Sequence, residues 1–156
     1  MSQNLDSITA CNQHDPFLGP FQYGGTASIS TRNITGRKTF SGRDPSGIRR
    51  YISKKLRGQG NGSLRTATFY RTVSPEQGEG PGSIYSQHLT LFNTKNRRIF
   101  TRQGFIHDIK EIIDKWKASG NHTFLMGDFN DYILSQIFRW FFAKLDLREL
   151  ITQKHR

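Results

Sequence analysis

Two side chains one residue apart, Asp128 and Asn130, follow the apolar run Thr123-Phe124-Leu125-Met126 and a glycine. Residues two apart on a strand share a face. The pair is therefore expected to emerge together at a strand end, with Phe129 turned the other way into the core. A carboxylate and a carboxamide so placed suit phosphate chemistry. The carboxylate can align a water or approach Mg2+, and the amide can bond a phosphate oxygen without adding repulsive charge. Tyr70, at the end of another strand-like run, could donate its hydroxyl to the same phosphate. Gly-Asp-Phe-Asn is equally a good turn sequence, in which Asp and Asn bond their own backbone. The residues alone leave both readings open.

Other chemistries find less support. The histidines (His14, His88, His107, His122, His155) are scattered without zinc-ligand spacing; His88 and His107 fall on expected helices and read as structural or exposed. Ser83 and Ser135 lack a nucleophile-elbow context, and Cys11 lies in an irregular stretch, so acyl transfer is set aside. The glycines of Arg57-Gly58-Gln59-Gly60-Asn61-Gly62-Ser63 are followed by neither Gly-Lys-Ser/Thr nor a helix, which argues against a phosphate loop.

The chain of 156 residues fits one domain with a real core, although only 34% of its residues are hydrophobic and glycine is frequent. Lys and Arg number 23 against 12 acidic residues, a net charge of +11 that favours a polyanion such as nucleic acid. A single cysteine excludes an internal disulfide and fits a reducing compartment, cytoplasmic or nuclear. Residues 1–20 lack a continuous apolar core, which argues against a secretory signal. The richest apolar window, Ile137 to Phe142, is interrupted by Arg139, so no membrane span and no membrane partner are expected. The sequons beginning at Asn33, Asn61 and Asn121 then read as chance matches.

The elements that must position the candidate residues follow from patterning. Residues 1–23 read as irregular, and Thr26 to Thr31 as a short strand. Asn33 to Gly47 reads as a long exposed basic loop. Arg49 to Leu56 and Leu64 to Arg71 read as a hairpin around the glycine-rich turn. Ser83 is a plausible N-cap for a helix carrying Tyr85, His88, Leu89 and Phe92. Phe105, Ile109, Ile112, Ile113 and Trp116 form an amphipathic stripe that Gly120 should stop. The strand Thr123 to Met126 comes next, followed by a helical segment at Ile137 to Leu145 and a weaker one through Leu147 to Ile151. The order predicts an α/β or α+β fold in one domain, 1–156, without an internal repeat.

Gly127-Asp128-Phe129-Asn130 after an apolar strand resembles the Gly-Asp-Phe/Leu-Asn motif of the endonuclease/exonuclease/phosphatase superfamily. That family includes pancreatic deoxyribonuclease, abasic-site endonucleases and retrotransposon endonuclease domains. Leu64 to Arg71 is similar to the family's strand ending in Tyr-Arg or Tyr-x-Pro. Ser83 to Ser119 occupies the place of two family helices, Gly24-Gly25-Thr26-Ala27 resembles an earlier glycine-led strand, and Leu147 to Ile151 resembles a late segment. The resemblance covers about residues 24–152 and implies part of a two-sheet α/β sandwich flanked by helices.

It also implies roles. Asp128 would orient and deprotonate the attacking water, Asn130 would hold the scissile phosphate or the metal shell, and Tyr70 would hydrogen-bond the phosphate and stabilise developing charge. Arg71 would be a substrate contact. The implied cofactor is Mg2+, or Mn2+, with Asp128 as a candidate ligand, and the implied partner is nucleic acid, DNA ahead of RNA. The family's metal-binding glutamate has no counterpart before Glu76, and the only histidine after Asp128 is His155, preceded by Lys154 rather than Asp. The chain thus reads as the central piece of a longer domain, truncated at both ends. The expectation is a metal-dependent phosphodiester hydrolase of nuclease type, impaired in this piece and prone to aggregate. The alternative is a non-catalytic basic nucleic-acid-binding fragment; a lipid or inositol phosphatase fits less well.

Overall fold

The computed structural model describes residues 5–10, 26–48, 50–74, 83–95 and 100–150. The hairpin at its centre follows the expected pattern. Strand β4 (Tyr51–Arg57) pairs antiparallel with β5 (Ser63–Tyr70), and Gly58 N donates to Gly62 O at 2.8 Å to close the turn. Helices α1 (Ile84–Thr94) and α2 (Thr101–Ala118) then carry the chain back, so that β6 (Asn121–Asp128) pairs parallel to β5. The Ser83 hydroxyl accepts from Ser86 N at 3.1 Å and caps α1. Gly120, at φ +72°, follows the end of α2. The last helix, α3, spans Gln136–Lys144.

Three sequence expectations are corrected. Residues 1–23 are not irregular throughout: β1 (Leu5–Ala10) pairs antiparallel with β2 (Thr26–Thr31). Its inward pattern is only Ile8 and Ala10, too short to stand out among Ser7, Thr9 and Asp6. Asn33 to Gly47 is not one loop but a 3-10 helix, Arg32–Arg37, followed by β3 (Lys38–Arg43). The β3 strand is specified by its partner β4 rather than by its own pattern, since its one large apolar side chain, Phe40, is half exposed. After α3 the chain does not resume a helix through 147–150: Asp146 takes φ +45° and Leu147 N donates to Phe142 O at 2.9 Å. Arg49, Ile151 and Gly24-Gly25 lie outside the described residues.

The result is a mixed α/β sandwich of two sheets with flanking helices. One sheet is β1-β2 and the other is β3-β4-β5-β6. Tyr51, Ala67 and Phe69 face the helices, where they meet Phe105, Ile109 and Ile113 of α2 and Phe138 and Phe141 of α3. Burial of the phenylalanine and isoleucine side chains, each worth about 1.5–3 kcal/mol, supplies the main driving force. On the opposite face Ile52 meets Ile8 and Ala10. The small sheet lies chiefly against β4 and β5. Edge strand β6 therefore leaves Phe124 and Met126 exposed, beside a groove of about 630 Å3 that Ile133, Phe142 and Leu147 also line. No helix among the described residues is long and apolar enough to cross a membrane.

A lysine sits between the sheets. The Lys54 side chain is 2% exposed and donates to Ser30 Oγ at 2.7 Å and Ser28 O at 3.1 Å, with Asp6 Oδ2 at 3.0 Å. Lys38 pairs with the same carboxylate. Hydrogen bonds from Lys38 and then Lys54 hold the Asp6 carboxyl below the ordinary aspartate range against a smaller opposing effect of burial. A folded-state value below the unfolded one gives stability that is full above about pH 4 and lost as pH falls through the folded value. Urea denaturation from pH 6 to pH 3 should show this loss, and Asp6→Asn should be less stable at pH 6 with a shallower decline below pH 4. Equal pH slopes for the two proteins would remove Asp6 from the account.

Candidate functional site

Asp128 is the last residue of β6 and Tyr70 the last of β5, and the parallel register sets them side by side. Arg71 N extends the ladder to Asp128 O at 2.9 Å, and Tyr70 N donates to Arg50 O at 2.8 Å on the other side. Parallel neighbours joined by a helical crossover present their C-terminal ends at one edge, and ligands of such sheets bind outside those ends. Gly127 makes the close approach possible. A Cβ there would lie 2.2 Å from the Phe69 carbonyl oxygen, and the residue adopts φ +156°.

The strand stops at Asp128, so Asn130 does not reach the site by strand alternation. It takes φ +45°, and its N–H donates to Asp128 Oδ1 at 2.9 Å in an Asx turn. Its side-chain Nδ2 donates to Arg71 O at 2.5 Å. The turn reading of Gly-Asp-Phe-Asn and the shared position of Asp128 and Asn130 are thus one arrangement. Phe129 turns into the core as expected, 5.3 Å from Phe138 and 6.2 Å from Phe105 between ring centroids.

The side chains of Tyr70 and Asn130 lie near enough to influence one another. Burial and then the nearby Asp128 charge push the Tyr70 hydroxyl above its ordinary value, with the Asn130 side chain opposing them. At neutral pH the phenol therefore keeps its proton and can donate. The structure thus brings together Asp128, Asn130 and Tyr70: an exposed carboxylate, a carboxamide with donors and a protonated phenol.

Arg71 is placed differently from the substrate contact expected of it. Its side chain is 3% exposed, and Nη1 donates to Asp131 Oδ2 at 2.7 Å. The guanidinium lies 5.5 Å over the Phe138 ring and close to the carbonyls of Phe129 and Arg102, each at 3.4 Å. It is buttressed beneath the loop rather than presented to a ligand. Sequence reasoning missed two residues that complete this device. Arg102, at the start of α2, donates to Thr72 O at 2.8 Å, Asn130 O at 3.0 Å and Asp131 Oδ2 at 2.7 Å, which ties the loops after β5 and β6 together. Asp131 accepts from both arginines, and its carboxyl is held low by Arg71 first among the favourable contacts, although burial opposes this most. The only signal for Asp131 in the sequence is its closeness to Asp128.

A second polar cluster lies beneath Tyr70. Arg50, 2% exposed, bonds Asp44 Oδ2 at 3.0 Å and Asp108 Oδ2 at 2.8 Å. His88 is buried in α1, and burial, then Arg50, push it down to about 4, so it is neutral at pH 7. His107 and His122 are exposed, while His14 and His155 lie outside the described residues.

A divalent cation finds only part of a site. Among the described residues no group of three His, Cys, Asp or Glu side chains is gathered closely enough to hold a metal. Asp128 offers one carboxylate, and the next along the loop, Asp131, is already neutralised by two guanidinium groups. Mg2+ binds through one or two carboxylates, waters and substrate phosphates. Beside Tyr70 and Asn130, Asp128 is thus the carboxylate left to a cation, and waters and substrate phosphates would have to supply the rest of a Mg2+ shell.

No protein-family model matches the sequence, and no curated protein matches it. Among solved structures the chain is similar to the human Nocturnin catalytic domain with bound sulfate, with a TM-score of 0.50, 12% identity, and coverage of 90% of this chain and 48% of that one. It is also similar to beta toxin from Staphylococcus aureus, with a TM-score of 0.48, 11% identity, and coverage of 83% of this chain and 42% of that one. The chain spans about half the length of these structures. At such identity the Nocturnin likeness is one of fold: the two-sheet sandwich with flanking helices is the shared feature.

Proposed function

We propose that the chain forms part of a phosphodiester hydrolase of the nuclease type, acting on nucleic acid with DNA ahead of RNA. The observation that carries this reading is the meeting of Tyr70, Asp128 and Asn130 at the C-terminal ends of two parallel strands. In the proposed reaction Asp128 takes a proton from a water, whose oxygen adds to phosphorus. The phosphorus–oxygen bond to the leaving sugar oxygen breaks, and that oxygen picks up a proton from solvent. The second N–H of Asn130 and the Tyr70 hydroxyl are the donors for the phosphoryl oxygens on which charge builds. Mg2+ or Mn2+ dependence rests on the motif's resemblance alone, with Asp128 as the candidate ligand.

The test is plasmid nicking in Mg2+ and in Mn2+. Slow conversion of supercoiled to open-circular DNA is expected. Asp128→Asn keeps the turn acceptor and should cut at least about 100-fold more slowly, the usual effect of losing a general base. Equal nicking by the two proteins would remove Asp128 from the chemistry. A second reading, a basic nucleic-acid-binding piece without turnover, is favoured by the incomplete cation site and the +11 charge. It requires salt-sensitive binding with no nicking in either metal.

A further inference from the structure

Away from Asp128, at the other end of the large sheet, the register sets Phe40, Lys55 and Arg65 opposite one another across β3, β4 and β5. Directly opposed residues share a face, so one ring and two cations form a row. Two like charges opposite each other weaken a sheet. Neither has a carboxylate partner among the described residues, and Asp44, buried on Arg50, is the only acidic residue between Thr26 and Ser74. The Arg65 guanidinium lies 4.9 Å from the Trp116 ring and 5.1 Å from the Phe40 ring, and its buried Nε has no partner. The Phe40 ring lies against Gly42, where a Cβ would come 2.8 Å from ring carbon Cε1, and it is 50% exposed. Arg57, next on this face of β4, is exposed, as is Arg37 at the end of the 3-10 helix.

We propose that Phe40, Lys55, Arg57 and Arg65 form a platform that binds single-stranded nucleic acid, separate from the Asp128 site. An exposed ring held from beneath by a stacked guanidinium is a surface for an unpaired base, which a duplex does not offer. Lys55 and Arg57 meet the flanking phosphates and relieve the like-charge opposition that the sheet otherwise bears. Tyr70 lies five residue steps along β5 from Arg65, about 17 Å, so the two sites do not share contacts.

Fluorescence anisotropy with a labelled oligothymidylate in EDTA tests the platform without any hydrolysis, so its failure leaves the hydrolase reading standing, and the reverse. Phe40→Ala is expected to weaken binding about tenfold, the usual loss of one stacked base, and Phe40→Trp to restore it. Binding of inorganic polyphosphate, which has charge but no bases, should stay within about twofold in Phe40→Ala. Lys55→Gln with Arg57→Gln should weaken both ligands and flatten the slope of log K against log salt by about 1.4, or 0.7 per phosphate on a single strand. Thermal melts of each variant separate lost binding from lost folding. The proposal is overturned by oligothymidylate affinity unchanged in Phe40→Ala, by an equal loss for polyphosphate, or by a preference for a blunt duplex.

Discussion

Gly127→Ala is expected to lower the melting temperature by about 6–12 °C or more. The added methyl carbon would lie 2.2 Å from the Phe69 carbonyl oxygen, 2.9 Å from its carbon and 3.0 Å from its nitrogen. All three are backbone atoms of the neighbouring strand, so no side chain can swing aside. Either the β5–β6 ladder separates at its last pairs or the strand rotates, and both outcomes displace Asp128. Overpacking combined with a strained backbone angle costs about 3 kcal/mol or more, and about 2–4 °C accompany each kcal/mol in a chain of this size. Gly60 is the control. It has φ +58° and open space where the methyl carbon would go, with nothing within 4 Å, so Gly60→Ala carries only the conformational cost, about 1–2 kcal/mol. Circular dichroism melts of both variants check the contrast. A Gly127→Ala protein as stable as Gly60→Ala would mean that β5 and β6 are not so close.

The second large effect concerns Arg71. Arg71→Lys keeps the charge but loses the flat guanidinium over Phe138 and the fork that reaches Asp131 and two carbonyls together. Disrupting a buried pair costs about 3–5 kcal/mol when one partner is removed, so Arg71→Ala should approach that loss and lysine should recover little of it. Urea denaturation measures the cost. Oligonucleotide affinity in EDTA, measured where both variants remain folded, should stay within about twofold of the parent, since a phosphate contact is worth far more to binding at low salt. Unchanged stability with weakened affinity would return Arg71 to the ligand.

The site is legible in the sequence to the extent that its chemistry is local. Asp128, Phe129 and Asn130 follow from a strand running into a turn, and Tyr70 joins them because the chain order strand, helices, strand makes β5 and β6 parallel neighbours. The burial of Arg71 on Asp131 is not legible because that partner stands 60 residues away, and an arginine beside a candidate site looks the same whether its fork points outward or inward. The two unforeseen strands fail for related reasons. The β1 strand shows only Ile8 and Ala10 to the core, and β3 is a strand because β4 pairs with it. Long-range pairing, not propensity, decides both.

Among the described residues no strand pairs with the outer edge of β6, which bears on the strength of any charge interaction at its tip. Asp128 is exposed at the end of a strand whose outer face, Phe124 and Met126, is open to water. Two unit charges 4 Å apart interact by about 1 kcal/mol in bulk water and about 4 kcal/mol at an effective dielectric constant of 20. A strand laid along that edge, with a layer over the two side chains, would move Asp128 from the first regime towards the second without altering a single residue near it. What lies along β6 therefore sets the medium in which the carboxylate acts.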